Sequence, residues 1–162
     1  MPRGCWCLGG GHVSQELVPL LSRVGFRCVV FDDRPEFTTE ALFPDAVARI
    51  TGDFENIAAS LEIGPGDYVT VMTRGHSYDL EVQRQVLARP SAYVGVIGSR
   101  SKIAAVNKRL LEAGVPQREI DRVHTPIGLP IKAQTPAEIA VSIAAEMILI
   151  RAGLAEASAK PG

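Results

Sequence analysis

The sequence predicts an α/β protein: a five-stranded parallel sheet in three layers, strand order 3-2-1-4-5, with helices on both faces. Three observations predict it. Apolar runs of strand length alternate with segments of helical period along the whole chain. A glycine turn, Gly9-Gly10-Gly11, joins the first such run to the first helical segment. The second run ends in an acid pair, Asp32-Asp33, the pattern of a sheet that reads a nucleotide at its carboxyl edge.

The first strand covers Gly4 to Leu8, and Val13, Leu17, Leu20, Leu21 and Val24 then mark one face of a helix. Between them, Gly9 to Ser14 follows a Gly-x-Gly-x-x-Gly pattern with Ser14 in the third glycine's place. Gly9 allows the tight turn and Gly11 lets backbone approach a pyrophosphate. His12 and Val13 open a helix whose free amides and dipole favour phosphate. Arg27 to Phe31 is the second strand, and Asp32 lies 23 residues after Gly9, near the spacing of about 20 for an acid that holds a ribose hydroxyl. A plain strand-to-helix turn, with the acid pair starting a turn before Pro35, is the simpler alternative. Loop, helix and acid agree, which favours nucleotide binding. Asp32 suits NAD, and Arg34 stands close enough to take the 2′-phosphate of NADP.

Val47 to Thr51 reads as the third strand, after which Asp53 is placed to cap a helix from Phe54 to Leu61. Gly64-Pro65-Gly66-Asp67 is a turn, and Tyr68 to Met72 a buried strand. A helix follows from Asp79 to Leu87, then a fifth strand from Tyr93 to Ile97 and a helix to about Ala113 with Gly114 beyond its end. A short helical piece spans Gln117 to Val123. Thr135-Pro136-Ala137-Glu138 is a capping box with proline at the first helical position, opening a helix that runs to around Gly153. Residues 1–155 form a single domain on this reading, and 156–162 a flexible tail.

Composition narrows the function classes. The 162 residues are 46% hydrophobic and 22% charged, with 17 basic and 18 acidic side chains, so no basic face advertises a nucleic-acid partner. No signal peptide is visible, and the most apolar segment, Ile139 to Ile150, is short and interrupted by Ser142 and Glu146, which argues against a membrane span. Three cysteines make no disulfide framework and fit a reducing cytoplasm. Cys5 and Cys7, alternate residues of the first strand, read as small buried hydrophobes, because Cys-x-Cys lacks zinc spacing and no second pair is evident. No metal is expected. The last helix is apolar nearly all round, so it lies in the core or against a second protomer, and a homodimer interface is the favoured reading.

In an open α/β sheet, ligands bind beyond the carboxyl ends of the strands. Two further loops belong there: Thr73, Arg74, Gly75 and His76 through Asp79, and Gly98, Ser99, Arg100, Ser101 and Lys102. Arg74, Arg100 and Lys102 suit an anionic ligand, and the serines suit phosphate oxygens or a helix cap. His76 and Asp79, three residues apart, are the candidates for an acid/base pair, against a purely structural loop histidine. No complete catalytic apparatus is visible.

Taken in order, Gly9 to Ser14, Asp32-Asp33-Arg34-Pro35-Glu36-Phe37, Thr73 to His76, Ile97 to Lys102, and Pro126 to Leu129 through Thr135 to Glu146 resemble the C-terminal Rossmann domain of the xanthine dehydrogenase accessory factors, which belong with the maturation factors of carbon monoxide dehydrogenase. The resemblance implies a role in maturing molybdenum hydroxylases: holding and protecting the molybdenum cofactor, supporting its sulfuration and delivering it to the apoenzyme. It also implies an NAD or NADP site. The ligand contacts it implies are Gly9, Gly11, His12, Asp32, Thr73, Arg74, His76, Ser99, Arg100 and Lys102; Val13, Asp33, Gly75 and Gly98 adjoin them. Family members commonly carry a cysteine-containing domain ahead of this fold, whereas here the first strand starts within a few residues of Met1. A separate protein supplying that domain is the implied partner, beside the molybdenum hydroxylase apoenzyme. A small NAD(P)-dependent oxidoreductase and a nucleotide-sensing regulator without chemistry are the alternatives.

Overall fold

A computed structural model describes residues 3–74 and 76–159, with the side chains of His76 and Ser77 outside the description. Gly75, the side chain of His76 and the end of the expected tail therefore lie outside the described residues. The elements are β1 (Arg3–Leu8), α1 (His12–Arg23), β2 (Phe26–Asp32), β3 (Ala48–Thr51), β4 (Tyr68–Val71), α2 (His76–Leu87), β5 (Tyr93–Val96), α3 (Arg100–Glu112), α4 (Gln117–Asp121) and α5 (Pro136–Ala159). Short 3-10 turns cover Pro35–Phe37 and Ile57–Ala59. The strands form one parallel sheet in the order β3-β2-β1-β4-β5, as expected from the alternating pattern.

Alternation along each strand divides the core in two. Cys5, Cys7, Cys28, Val30, Tyr68 and Tyr93 face α1 and α5, where Leu17, Leu21, Ile143 and Met147 cover them. Leu8, Phe31, Val69, Val71, Val94 and Val96 face the other layer, against Val82 and Val86 of α2, Val106 and Leu110 of α3, and Ile120 of α4. Both faces of the sheet are covered, which leaves the strand ends and the edge strand β3 nearest solvent. Among the described residues no helix is long and apolar enough to cross a membrane.

Three expectations need correcting. The segment Phe54 to Leu61 is not a helix; it holds only the 3-10 turn Ile57–Ala59. Phe54, Ile57 and Leu61 are buried at helix-like spacing, but Gln85 of α2 takes the place of helical hydrogen bonds. Its amide donates to the Phe54 carbonyl at 2.8 Å, and its oxygen accepts from the Ile57 amide at 2.9 Å. Asp53 accepts from the Glu55 amide at 2.8 Å, capping a turn instead of a helix. Second, α2 begins at His76, three residues before the expected start. Third, α5 continues past Gly153 to Ala159, because Leu154, Ala155, Glu156, Ala157 and Ala159 are helix formers that outweigh one glycine.

The helix α5 packs into the core along one face and leaves another exposed. Ala140, Ile143, Ala144 and Met147 pack on α1 and the sheet, while Val141, Ile148 and Leu149 remain exposed. Its capping box forms as expected. The Thr135 hydroxyl accepts from the Glu138 amide at 3.1 Å, and the Glu138 carboxylate accepts from the Thr135 and Gln134 amides at 3.2 and 2.7 Å. Thr135→Ala is expected to lower the unfolding free energy by about 1 kcal/mol; a urea titration showing no loss would deny the cap its role.

Candidate functional site

The site begins where β1 stops. Gly9 turns the chain at φ 112° with its amide on the Phe31 carbonyl at 2.8 Å. A Cβ there would stand 2.3 Å from the Met72 carbonyl oxygen, so only glycine fits between β1 and β4. Ser14 explains how the pattern survives without its third glycine. It is buried, and its hydroxyl donates to the Gly9 carbonyl at 2.5 Å, tying helix to turn. Gln15 adds a second tie to the Gly10 carbonyl at 3.1 Å.

Gly11 is the N-cap of α1 and offers no side-chain cap. The first helical amide to find a backbone acceptor is that of Gln15, on the Gly11 carbonyl at 3.0 Å. The amides of residues 12–14 thus point out of the helix start beside the glycine turn, and nothing lies within 4 Å of where a Gly11 side chain would project. His12 is exposed at this opening, and Val13 packs partly into the core below. An unblocked helix N-terminus at the centre of a parallel sheet's carboxyl edge is suited to bind an anion.

At the end of β2, Asp32 is 1% exposed and its carboxylate is fully engaged. One oxygen accepts from the Gly10 amide at 2.8 Å and from the Arg34 guanidinium at 3.1 Å. The other accepts from the Arg34 amide and its Nε, each at 3.0 Å. Burial pushes the carboxyl up, but these donors outweigh it and hold Asp32 below the usual carboxylate range. The same pairing raises Arg34. Arg34 also stacks on the Phe37 ring, 3.8 Å from its centroid. In this structure Asp32 therefore props the glycine turn and holds Arg34. Asp33, less buried, has one carboxylate oxygen with no hydrogen-bond partner, 4.0 Å from the Arg34 Nε.

The ends of β4 and β5 meet through a buried ion pair. Thr73 donates to one Asp79 oxygen at 2.8 Å, and Lys102 reaches the other at 2.7 Å. Asp79 is buried, which locks the starts of α2 and α3 together. Lys102, expected as an anion ligand, and Asp79, expected beside His76, are thus paired with each other. Ser99 caps α3, accepting from the Lys102 amide at 3.3 Å, with Ser101 at 3.4 Å. Gly98 turns the chain into that cap at φ 157°. Arg74 and Arg100 are exposed and carry the crevice's accessible positive charge.

Beyond Ile97 lies a groove of about 360 Å³, lined by Arg100, Ile127, Leu129, Ile131, Lys132 and Ile139 among others. Gly128 shapes it: at φ 97° it leaves room where a Cβ would stand 2.3 Å from the Ser142 hydroxyl, and its amide reaches the buried Glu146 carboxylate at 3.2 Å. Glu146 also accepts from the Tyr93 hydroxyl at 2.6 Å. Burial, and then this carboxylate, push the Tyr93 phenol far up and keep it a donor.

The XdhC Rossmann domain family matches residues 5–147. The chain belongs to that family. A Bacillus subtilis (strain 168) protein named as a probable xanthine dehydrogenase subunit is 33% identical over 143 residues, covering 88% of this chain and 41% of the relative. YqeB of Escherichia coli (strain K12) is 31% identical over 145 residues, 89% of this chain and 26% of its own. A crystal structure of a xanthine dehydrogenase from Bacillus halodurans superposes with a TM-score of 0.83 at 33% identity, covering 94% of this chain and 43% of the other. The chain spans less than half the length of each.

Within this XdhC Rossmann domain, the structure gathers Gly9, Gly11, His12, Asp32, Thr73, Arg74, Ser99, Arg100 and Lys102 at one sheet edge. It divides them by duty. Asp32, Thr73 and Lys102 hold the walls, while Gly11, His12, Arg74 and Arg100 stand open. The Ile127 to Lys132 groove was not named as a site from sequence, although Pro126 to Leu129 is one of the blocks that carry the resemblance; the turn chemistry of Pro126, Gly128 and Pro130 was the available signal.

Proposed function

We propose that this chain is the nucleotide-binding domain of an accessory factor for molybdenum hydroxylases, holding an adenine dinucleotide or the molybdenum cofactor across the carboxyl edge of β1 and β4. Family membership and relatives named for xanthine dehydrogenase support the setting. The observation that carries the ligand class is the uncapped start of α1 at Gly11, with open space above it. Both ligands carry phosphate, which such a helix start favours. NAD, NADP and the cofactor all meet that condition, with Arg74 and Arg100 as the flanking charges. The apoenzyme of the hydroxylase is the proposed client, and the exposed Val141, Ile148 and Leu149 support a homodimer.

Calorimetric titration of the chain with NAD, NADP and adenosine diphosphate, alongside a hydride-transfer assay with NAD(P)H, tests the ligand reading. Binding without turnover is expected. Gly11→Asp is the informative variant. Aspartate is a good N-cap at the extended conformation of Gly11 (φ −75°, ψ −169°), so stability should hold or rise. Its carboxylate would occupy the anion position and weaken nucleotide binding at least about tenfold. Unchanged affinity would move the ligand away from α1, and steady NAD(P)H turnover would favour an oxidoreductase.

A further inference from the structure

Beneath α1 and α5, the sheet gathers all three cysteines of the chain. Cys5 and Cys7 alternate on β1 and so share a face. β2 brings Cys28 directly opposite Cys5. The three Sγ atoms lie within 4.8 Å of one another, with Cys5 and Cys7 3.8 Å apart. None is in a disulfide, and all three are buried. The adjoining strand adds two unexplained groups on the same face. Thr70 is in register with Cys7 and Tyr68 with Cys5; both hydroxyls are buried without a hydrogen-bond partner. Buried polar atoms left unpaired call for a reason.

We propose that Cys5, Cys7 and Cys28 form a closed site for a single soft, thiophilic cation. The spacing fits. A metal–thiolate bond of about 2.3 Å places sulfurs about 3.8–4.0 Å apart, in either trigonal or tetrahedral geometry. The Cys5–Cys7 edge already has that length, and the remaining edges close to it with about 1 Å of side-chain movement. The donor set is sulfur alone, with no imidazole or carboxylate in the group, which selects Cu(I) or Zn(II) over harder ions. Cu(I) is satisfied by three thiolates. Zn(II) requires a fourth ligand, and Thr70 is the hydroxyl placed in register with Cys7. Binding releases the thiol protons to solvent as the thiolates bond to the ion; no electron is transferred. Because the site is sealed by two helices, the ion enters as the chain folds and then exchanges slowly.

The experiment is refolding of the whole chain from denaturant, without oxygen and with a non-thiol reductant, in three arms: Cu(I), Zn(II), and neither. After desalting, bound metal, thiolate-to-metal absorption and the melting temperature are read. The expected result is one Cu(I) per chain, a new near-ultraviolet thiolate band and a raised melting temperature. One Zn(II) per chain, lost in Thr70→Val, would support the four-ligand form of the same site. Cys7→Ala and Cys28→Ala should each abolish stoichiometric retention while leaving the circular dichroism unchanged. Retention in the triple cysteine-to-alanine variant would place the metal elsewhere and overturn the proposal. So would refolded wild type that keeps neither metal and presents three free thiols on unfolding. Should a variant fail to fold, the wild-type arms decide alone.

Discussion

Gly9→Ala is expected to lower the unfolding free energy by about 3 kcal/mol or more, a large share of the roughly 5–15 kcal/mol that holds an ordinary domain folded. Two costs add. The φ of 112° lies where an L side chain is strained, and the new methyl would press 2.3 Å from the Met72 carbonyl oxygen and 3.1 Å from the Thr73 amide. Both obstacles are backbone at the end of the central β4, so neither can swing aside. Gly11→Ala is the matched control. It sits two residues along the same turn, with negative φ and nothing within 4 Å, and should cost no more than about 1 kcal/mol, the N-cap advantage of glycine over alanine. Denaturant melts of the pair read the difference, and equal effects would refute the geometry of the turn.

Asp32→Ala is expected to cost about 3 kcal/mol, because breaking a buried charge pair strands the partners it leaves behind. Here the stranded groups are the Gly10 amide and the Arg34 guanidinium. The pH dependence has a definite sign. Asp32 titrates below the ordinary aspartate value when folded, so its contribution is complete above the unfolded-state pKa and disappears as pH falls through the folded-state value. The stability gap between wild type and variant should therefore be full at about pH 7 and shrink below about pH 4. A gap that does not change with pH would mean the charge itself contributes nothing. Because this residue props the turn, Asp32→Ala is a poor probe of ribose recognition; Asp33→Asn, at the partly exposed neighbour, separates binding from folding more cleanly.

Strand order and helix positions were legible because their signals are local. Gly9 to Ser14 marks a strand-to-helix turn, Tyr68 to Val71 and Tyr93 to Val96 are continuous apolar runs, and Thr135 to Glu138 is a self-contained cap. Failures occurred where a distant residue decides. Phe54, Ile57 and Leu61 carry helical spacing, yet Gln85, distant in sequence, supplies the hydrogen bonds that leave the segment irregular. The roles of Lys102 and Asp79 likewise depend on two helix starts meeting. Cys28 gave no hint of joining Cys5 and Cys7, since the register between parallel strands is set by packing and not by any neighbouring turn. Ser14 differs: its small size was legible, but the bond to the Gly9 carbonyl required the folded turn.

The central claim is that the chain serves the maturation of a molybdenum hydroxylase, and it is tested most directly in cells lacking the chain. Hydroxylase activity should be measured there together with the abundance of the apoenzyme. The account predicts that activity falls while the apoenzyme persists, and that the wild-type chain restores activity whereas Gly11→Asp does not. Full hydroxylase activity in cells without the chain would contradict it.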